Sequence, residues 1–205
     1  MTIWFASGNE HKREELAAIL PQIELRIPAD AGLDFSPDED GATFLENSFI
    51  KARALYQLVK QPVIADDSGL CVDALDGRPG IYSARYGADP GHLLSSAERN
   101  SLLLHELKGI RRRNARFVCA MVLLFNENRF SVAQETLEGE ILNEQHGGGG
   151  FGYDPVFYLP KQGCSVAELP QELKNRLSHR AKAARIIAAQ ITQNTLEFGD
   201  SDFSA

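Results

Sequence analysis

Pro62-Val63-Ile64-Ala65-Asp66-Asp67-Ser68-Gly69 is the stretch on which the reading of this chain turns. A short apolar run bounded by proline predicts a buried strand, and it leads straight into two adjacent carboxylates and a serine-glycine pair. Upstream, Thr43-Phe44-Leu45-Glu46 matches a capping box. The helix it opens carries Leu45, Phe49, Ala52, Tyr56 and Val59 on one stripe and stops near Pro62. Further out, Ile3-Trp4-Phe5-Ala6 reads as another buried strand, joined by the turn Ser7-Gly8-Asn9 to a helix over Lys12–Leu20 with Leu16, Ile19 and Leu20 at helical spacing.

Downstream, Ser95–Leu107 is predicted helical from a second Ser-x-x-Glu start (Ser95, Glu98) and leucines at 102, 103, 104 and 107. Phe117–Phe125 and Arg129–Glu138 read as strands flanking Asn126-Glu127-Asn128, a hairpin loop. Val156–Leu159 is a further short strand. The last helix is expected from about Ser178 to Ile191, with Ala184, Ile187, Ala188 and Ile191 facing inward, followed from Thr195 by an acidic, aperiodic tail expected to fray. Helices at both ends with strands between them predict an α/β fold with a mixed sheet, and the domain is placed at residues 1–194 with a tail at 195–205.

The 205 residues are 43% hydrophobic, enough for one globular domain or one domain with two lobes about a cleft. No run approaches the roughly 18 uninterrupted apolar residues that a membrane helix needs, and the start lacks the basic and apolar regions of a leader. A soluble, cytoplasmic protein is expected. Cys71, Cys119 and Cys164 are widely spaced and form neither a CxxC pair nor zinc-ligand spacing. A net charge of −7 argues against a protein that grips nucleic acid by its phosphates. Arg111-Arg112-Arg113, the one basic run, is read as a solvated turn.

Four constellations can carry chemistry. Ser7-Gly8-Asn9-Glu10-His11-Lys12 opens a helix, where exposed N–H groups attract anions, Gly8 permits close approach, and Ser7, Asn9 and Lys12 add donors. It lacks the Walker spacing, so a simple helix cap with a solvated lysine is the alternative. Asp66-Asp67 ends an apolar strand, where ligands bind in open α/β sheets. Adjacent carboxylates repel unless a cation or proton joins them, and hard oxygen ligands without histidine or cysteine suit magnesium; Asp-Asp-Ser-Gly is equally ordinary turn chemistry. A second acidic patch, Asp38-Glu39-Asp40-Gly41, precedes the capped helix.

The third constellation, Gly147–Gly152, formally contains GxGxxG, but no helix is expected after it, so a dinucleotide site is rejected. The run is read as a mobile loop or a place of close backbone approach, with Phe151 and Tyr153 available either to stack on a base or to fill the core. In the fourth, Ser178 caps the last helix and sets His179 and Arg180 at its N-terminal end. Cations favour the opposite end, so the pair makes sense if an anionic or carbonyl-bearing ligand sits there.

Taken together, Ser-Gly-Asn-x-x-Lys-x-x-Glu (7–15), Thr-Phe-x-Glu-Asn (43–47), Ala-Asp-Asp-Ser-Gly-Leu (65–70), Pro-Gly-Ile-Tyr-Ser-Ala-Arg-Tyr (79–86), Gly-Gly-Phe-Gly-Tyr-Asp-Pro (149–155) and Ser-His-Arg (178–180) resemble the Ham1-like inosine triphosphate pyrophosphatases, in family order and over nearly the whole chain. The resemblance implies an elongated α/β domain with two lobes about a central mixed sheet, a homodimer, and magnesium-dependent conversion of ITP, dITP or XTP to the monophosphate and pyrophosphate. Carried across by motif, Ser7, Gly8, Asn9, Glu10, His11 and Lys12 hold the triphosphate, Asp67 is the base and a metal ligand, and Ser68 touches substrate. Asp38 or Glu39 supplies the second metal carboxylate. Phe151, Gly152, Tyr153 and Asp154 with His179 and Arg180 hold the purine, and Lys174 reaches phosphate or base. The related Maf-like group, acting on modified pyrimidines, is the enzyme alternative; a nucleotide sensor that hydrolyses nothing is disfavoured by an intact Asp67.

Overall fold

The computed structural model describes residues 2–89 and 91–198, with side chains described through residue 193. In chain order the elements are β1 (Thr2–Phe5), α1 (Glu10–Ile19), β2 (Glu24–Arg26), α2 (Phe44–Val59), β3 (Val63–Val72), α3 (Ser96–Glu106), β4 (Asn114–Asn126), β5 (Arg129–Ile141), β6 (Phe157–Leu159), β7 (Cys164–Ser165), α4 (Gln171–Leu177) and α5 (His179–Phe198), with short 3₁₀ turns between several of them. The strands form one open sheet in the order β2-β1-β3-β4-β5-β6-β7. It is mixed, as expected: β1 pairs in parallel with β2 and β3, whereas β6 pairs antiparallel with β5 and β7.

Two compact units are distinguishable. The first comprises the chain up to Asp67, Cys119–Glu135 and the part from Ser178 onward. Here strand alternation sorts side chains between two faces. Ile3 and Phe5 of β1, Ile64 of β3, and Cys119, Met121, Leu123 and Phe125 of β4 pack with Leu16 and Leu20 of α1 and with Ala184, Ile187 and Ile191 of α5. Trp4, Val63, Ala65, Val122 and Leu124 point the other way, onto Ala52 and Leu55 of α2. Each such fully buried aliphatic side chain contributes on the order of 1.5–3 kcal/mol relative to exposure.

The second unit comprises Ser68–Val118 and Thr136–Leu177. Its core gathers Leu70 and Val72, Leu103 and Leu107, Phe117, Ile141, Phe157 and Leu159, with the Phe117 and Phe157 rings 4.4 Å apart. The capping box at Ser95 and Glu98 is complete.

Several expectations are corrected. β3 does not stop before the acid pair but runs ten residues through it, because apolar residues resume at Leu70 and both aspartates find cations on their own faces. Asn9, one of the two candidate caps with Ser7, caps α1, which begins at Glu10 rather than Lys12. At the Thr43 start only half of the box forms: Thr43 Oγ1 accepts from Glu46 N, but the Glu46 carboxylate accepts from Ala42 N. Arg113 is no solvated turn residue; its guanidinium donates to the carbonyls of Leu107, Ile141 and Leu142. α5 continues past Ile191 to Phe198, so residues 195–198 of the expected tail are helical, and 199–205 lie outside the described residues. No helix among the described residues is long and apolar enough to cross a membrane.

Candidate active site

In the first unit the turn after β1 and the start of α1 stand beside the acid pair of β3. Ser7 Oγ accepts from Asn9 N, and Asn9 Oδ1 accepts from Lys12 N, fixing a capped helix start. Gly8 has open space where a Cβ would be, so nothing of the chain crowds an approaching ligand there. Glu10 and His11 are exposed, with their side chains near Arg13 and Glu14. What they present toward an anion is backbone N–H, since an acidic side chain cannot grip phosphate.

Asp66 and Asp67 do not share one cation, because successive side chains of a strand point to opposite faces. Asp66 is 1% exposed and faces α1 and α5: the Lys12 ammonium lies 3.2 Å from its carboxylate and Arg180 Nε donates to Oδ2 at 3.1 Å. Burial pushes its carboxyl up, but the charges of Lys12, Arg180 and Lys51 outweigh that and hold it well below the ordinary carboxylate range. Its contribution to stability is therefore present above pH 3.8 and lost as pH falls through the depressed value.

Asp67 faces α2. Lys51 Nζ donates to Asp67 Oδ1 at 3.4 Å and to Glu39 Oε2 at 2.7 Å, and Asn47 Nδ2 donates to Asp67 Oδ2 at 3.2 Å. Burial raises the Asp67 carboxyl and Glu39 adds to the shift; Lys51, Lys12 and Asn47 oppose it without cancelling it. The two neighbouring aspartates are thus driven in opposite directions, the pattern by which acid-base roles are separated in active sites. Burial pulls the Lys51 ammonium down, but Asp67, Asp66 and Glu39 together keep it above its ordinary value and firmly charged.

Asp38 and Glu39 differ in burial and in partners. From Leu33 to Gly41 exposure alternates residue by residue, with 33, 35, 37 and 39 partly covered and 34, 36, 38 and 40 exposed. Glu39 shares the inward parity of Leu33 and Phe35, which pack on the α2 cluster, and it joins Asp67 through Lys51. Asp38 is exposed. Among the described residues no group of three or more His, Cys, Asp or Glu side chains is arranged to hold a metal. The donor set present is the carboxylate pair Glu39 and Asp67, which already reaches one common cation, the Lys51 ammonium.

Arg180 corrects a further expectation. It is 1% exposed, and besides Asp66 its guanidinium donates through Nη1 to Glu15 Oε2. The protein's own pair of carboxylates accounts for a cation at the start of α5 without a ligand. Ser178 caps this helix as expected, its Oγ accepting from Ala181 N, and His179 follows as the half-buried first helical residue.

The second unit organises the glycine-rich segment. Asp154 Oδ2 accepts from Phe151 N and from Lys174 Nζ, each at 2.8 Å, and the ammonium lies 4.6 Å from the Phe151 ring centre. Lys174 is therefore buried between a carboxylate and an aromatic face. Gly150 has φ +71°, and a Cβ there would lie 2.2 Å from Asp154 Oδ2; Gly149 N donates to Ala167 O. Close backbone approach, one of the two readings of this run, is what requires glycine. Tyr153 is in the core at 5% exposure, its hydroxyl donating to Ser83 O. It is not offered for stacking, whereas Phe151 is half-covered. Asn100, which no motif singled out, donates to Gly152 O and Gln145 Oε1. Ser68 is half-buried in β3.

An open mixed α/β sheet with a capped helix start beside two oppositely tuned, lysine-paired carboxylates defines the protein's class: an α/β protein with an acid-and-lysine site suited to a phosphorylated ligand. The chain belongs to the Ham1 family, whose model matches residues 3–190. It is 52% identical to a dITP/XTP pyrophosphatase of Treponema denticola over 89% of this chain and 94% of that protein. Among solved structures it resembles a Ham1 protein from Coxiella burnetii (TM-score 0.86, 36% identity, covering 94% of this chain and 99% of that one). A similar likeness holds with the Ham1 protein of Staphylococcus aureus (TM-score 0.84, 36% identity, covering 95% and 100%).

Proposed function

We propose that this protein is a nucleoside triphosphate pyrophosphatase that converts the non-standard purine nucleotides ITP, dITP and XTP to the monophosphate and pyrophosphate. The observation that carries the reading is Asp67, a buried carboxylate raised above its ordinary pKa and oriented by Lys51 and Asn47, in a chain half identical to a protein named for dITP and XTP. The Ser7–Lys12 turn supplies backbone N–H groups and the Lys12 ammonium to the triphosphate. Asp67 accepts a proton from water, which attacks the α-phosphorus, and pyrophosphate leaves.

Magnesium is the proposed cofactor, held by Glu39 and Asp67. Two carboxylates are what this ion takes when substrate phosphates and water complete its shell, and magnesium would take these oxygens over from the Lys51 ammonium that both acids now share. Bound there, it neutralises phosphate charge and polarises the attacked phosphorus. A homodimer in the cytoplasm, without nucleic acid or membrane as partner, completes the proposal.

Preference among bases is assigned to the second unit, where Phe151 offers a ring face and Lys174 a buried donor. Donors set against a 6-oxo group leave adenine's 6-amino group unmatched, a mismatch that discriminates strongly. The pure protein with magnesium should therefore release pyrophosphate from ITP, dITP and XTP at kcat/KM at least about 10²-fold above that for ATP, measured with GTP and dUTP alongside. Orthophosphate as the product, or equal rates across the panel, contradicts the proposal.

A pH dependence follows from Asp67. The fold favours its protonated form, so the stability it contributes is complete below pH 3.8 and is lost as pH rises through the raised value. Activity runs the other way, since only the carboxylate accepts a proton. Without metal the Asp67 carboxyl is held above its ordinary value, and magnesium bound to it would draw the acid limb of kcat/KM to lower pH; a limb that does not move down as magnesium is raised contradicts the assignment.

A further inference from the structure

Lys12, placed at the phosphate turn, is also the end of a buried chain of alternating charges. Glu15 accepts from Arg180, Arg180 donates to Asp66, and Asp66 holds Lys12 at 3.2 Å. Glu15 is 7% exposed, Arg180 1%, and the Asp66 and Lys12 side chains 0% and 14%. Glu15 and Lys12 stand three residues apart on α1, so the chain leaves that helix, crosses α5 and β3, and returns to it. Its four formal charges cancel. An incoming phosphate must therefore draw Lys12 away from Asp66 rather than meet a free ammonium.

How firmly Asp66 retains Lys12 depends on how much of Arg180 it commands. The guanidinium divides its donors between two carboxylates, Nη1 to Glu15 and Nε to Asp66. A Glu15 charge beside Arg180 reduces the positive potential that Arg180 exerts on Asp66, and Asp66 then leans more on Lys12. Attraction between these groups is strong because little water screens them.

We infer that Glu15 is a positioning residue that acts through Arg180 and Asp66 to keep Lys12 partly withheld from phosphate, lowering affinity for the triphosphate tail and easing departure of pyrophosphate. This rests on the reading of the Ser7–Lys12 turn as the phosphate site. It needs neither the purine assignment nor hydrolysis. Removing the Glu15 charge hands Arg180 to Asp66, releases Lys12, and tightens phosphate binding; turnover falls where product release limits it.

Inorganic tripolyphosphate is the probe, titrated calorimetrically into the full chain with magnesium at fixed ionic strength. Glu15→Gln is expected to bind it about fivefold tighter than wild type, with KM and kcat for ITP both lowered. Glu15→Asp, which keeps the charge, should return both toward wild type, and it covers the case in which the glutamine variant does not fold. Glu15→Gln combined with Lys12→Met should bind no tighter than Lys12→Met alone. Unchanged or weaker binding by Glu15→Gln overturns the inference, as does a gain that persists without Lys12, or a Glu15→Asp variant that departs from wild type as far as glutamine does. A wild-type protein that binds no tripolyphosphate overturns the phosphate-turn reading and this inference with it, whereas poor turnover of ITP with tight tripolyphosphate binding faults only the proposed reaction.

Discussion

Asp67→Asn is expected to lower kcat by about 10²- to 10⁴-fold, the usual contribution of a positioned general base, while the protein stays folded. Both parts have a structural reason. The amide cannot take a proton from water, yet it is nearly isosteric, and its one oxygen can still accept from Lys51 while its NH2 faces the Asn47 amide and loses that bond. Lys51 keeps its second partner, Glu39, at 2.7 Å. The variant also removes a carboxylate that the fold holds above its ordinary pKa, which offsets the lost bond, so a loss of no more than about 1 kcal/mol is expected at neutral pH. Circular dichroism and a melting curve beside steady-state kinetics check both parts. A folded variant with near wild-type turnover would place the base elsewhere.

Arg180→Met should act in the opposite way, through stability first. Methionine fills much of the volume but removes the guanidinium that Asp66 and Glu15 share in the interior, leaving Lys12 as the ammonium hydrogen-bonded to Asp66. Breaking a buried pair by removing one partner costs about 3–5 kcal/mol, which for a chain of this size lowers Tm by roughly 10 °C. Lowering the pH toward protonation of Asp66 should narrow the gap, because the variant lacks one of the cations that hold its carboxyl below the ordinary range. A melting curve unchanged from wild type would show that this guanidinium is not the internal counter-ion described above.

These two variants mark where sequence reading succeeded and where it stopped. Periodicity located α1, α2, α3 and α5, and two strand-like runs about the turn signal Asn126-Glu127-Asn128 located β4 and β5. β2, β7 and α4 have only three, two and seven residues, too few to establish a period. The acid pair was found, but its meaning depended on backbone conformation. Read as the end of a strand, Asp66 and Asp67 share one space and one cation; as interior residues of β3 they belong to separate faces with separate partners.

Other functional residues were hidden by their polarity. An apolar stripe on α2 passes over Asn47 and Lys51, although Asn47, Lys51 and Leu55 lie in one i, i+4 row on the buried face. The partial burial of Glu39 could have been read from the sequence, since it shares the parity of Leu33 and Phe35. Arg180 and Glu15 could not have been paired from spacing, because they lie 165 residues apart. Tyr153 illustrates the remaining difficulty: an aromatic residue in a ligand-like motif carries the same letter whether it stacks on a base or, as here, closes a core and ties its hydroxyl to Ser83.

If water guided by Asp67 attacks the α-phosphorus, the oxygen it brings must end in the monophosphate. Hydrolysis of ITP by the magnesium-loaded protein in ¹⁸O-enriched water, followed by ³¹P NMR of the products, shows where it goes. The expected result is ¹⁸O in the phosphate of IMP, unlabelled pyrophosphate and no orthophosphate. Label in pyrophosphate, or orthophosphate as the labelled product, would contradict attack at that phosphorus.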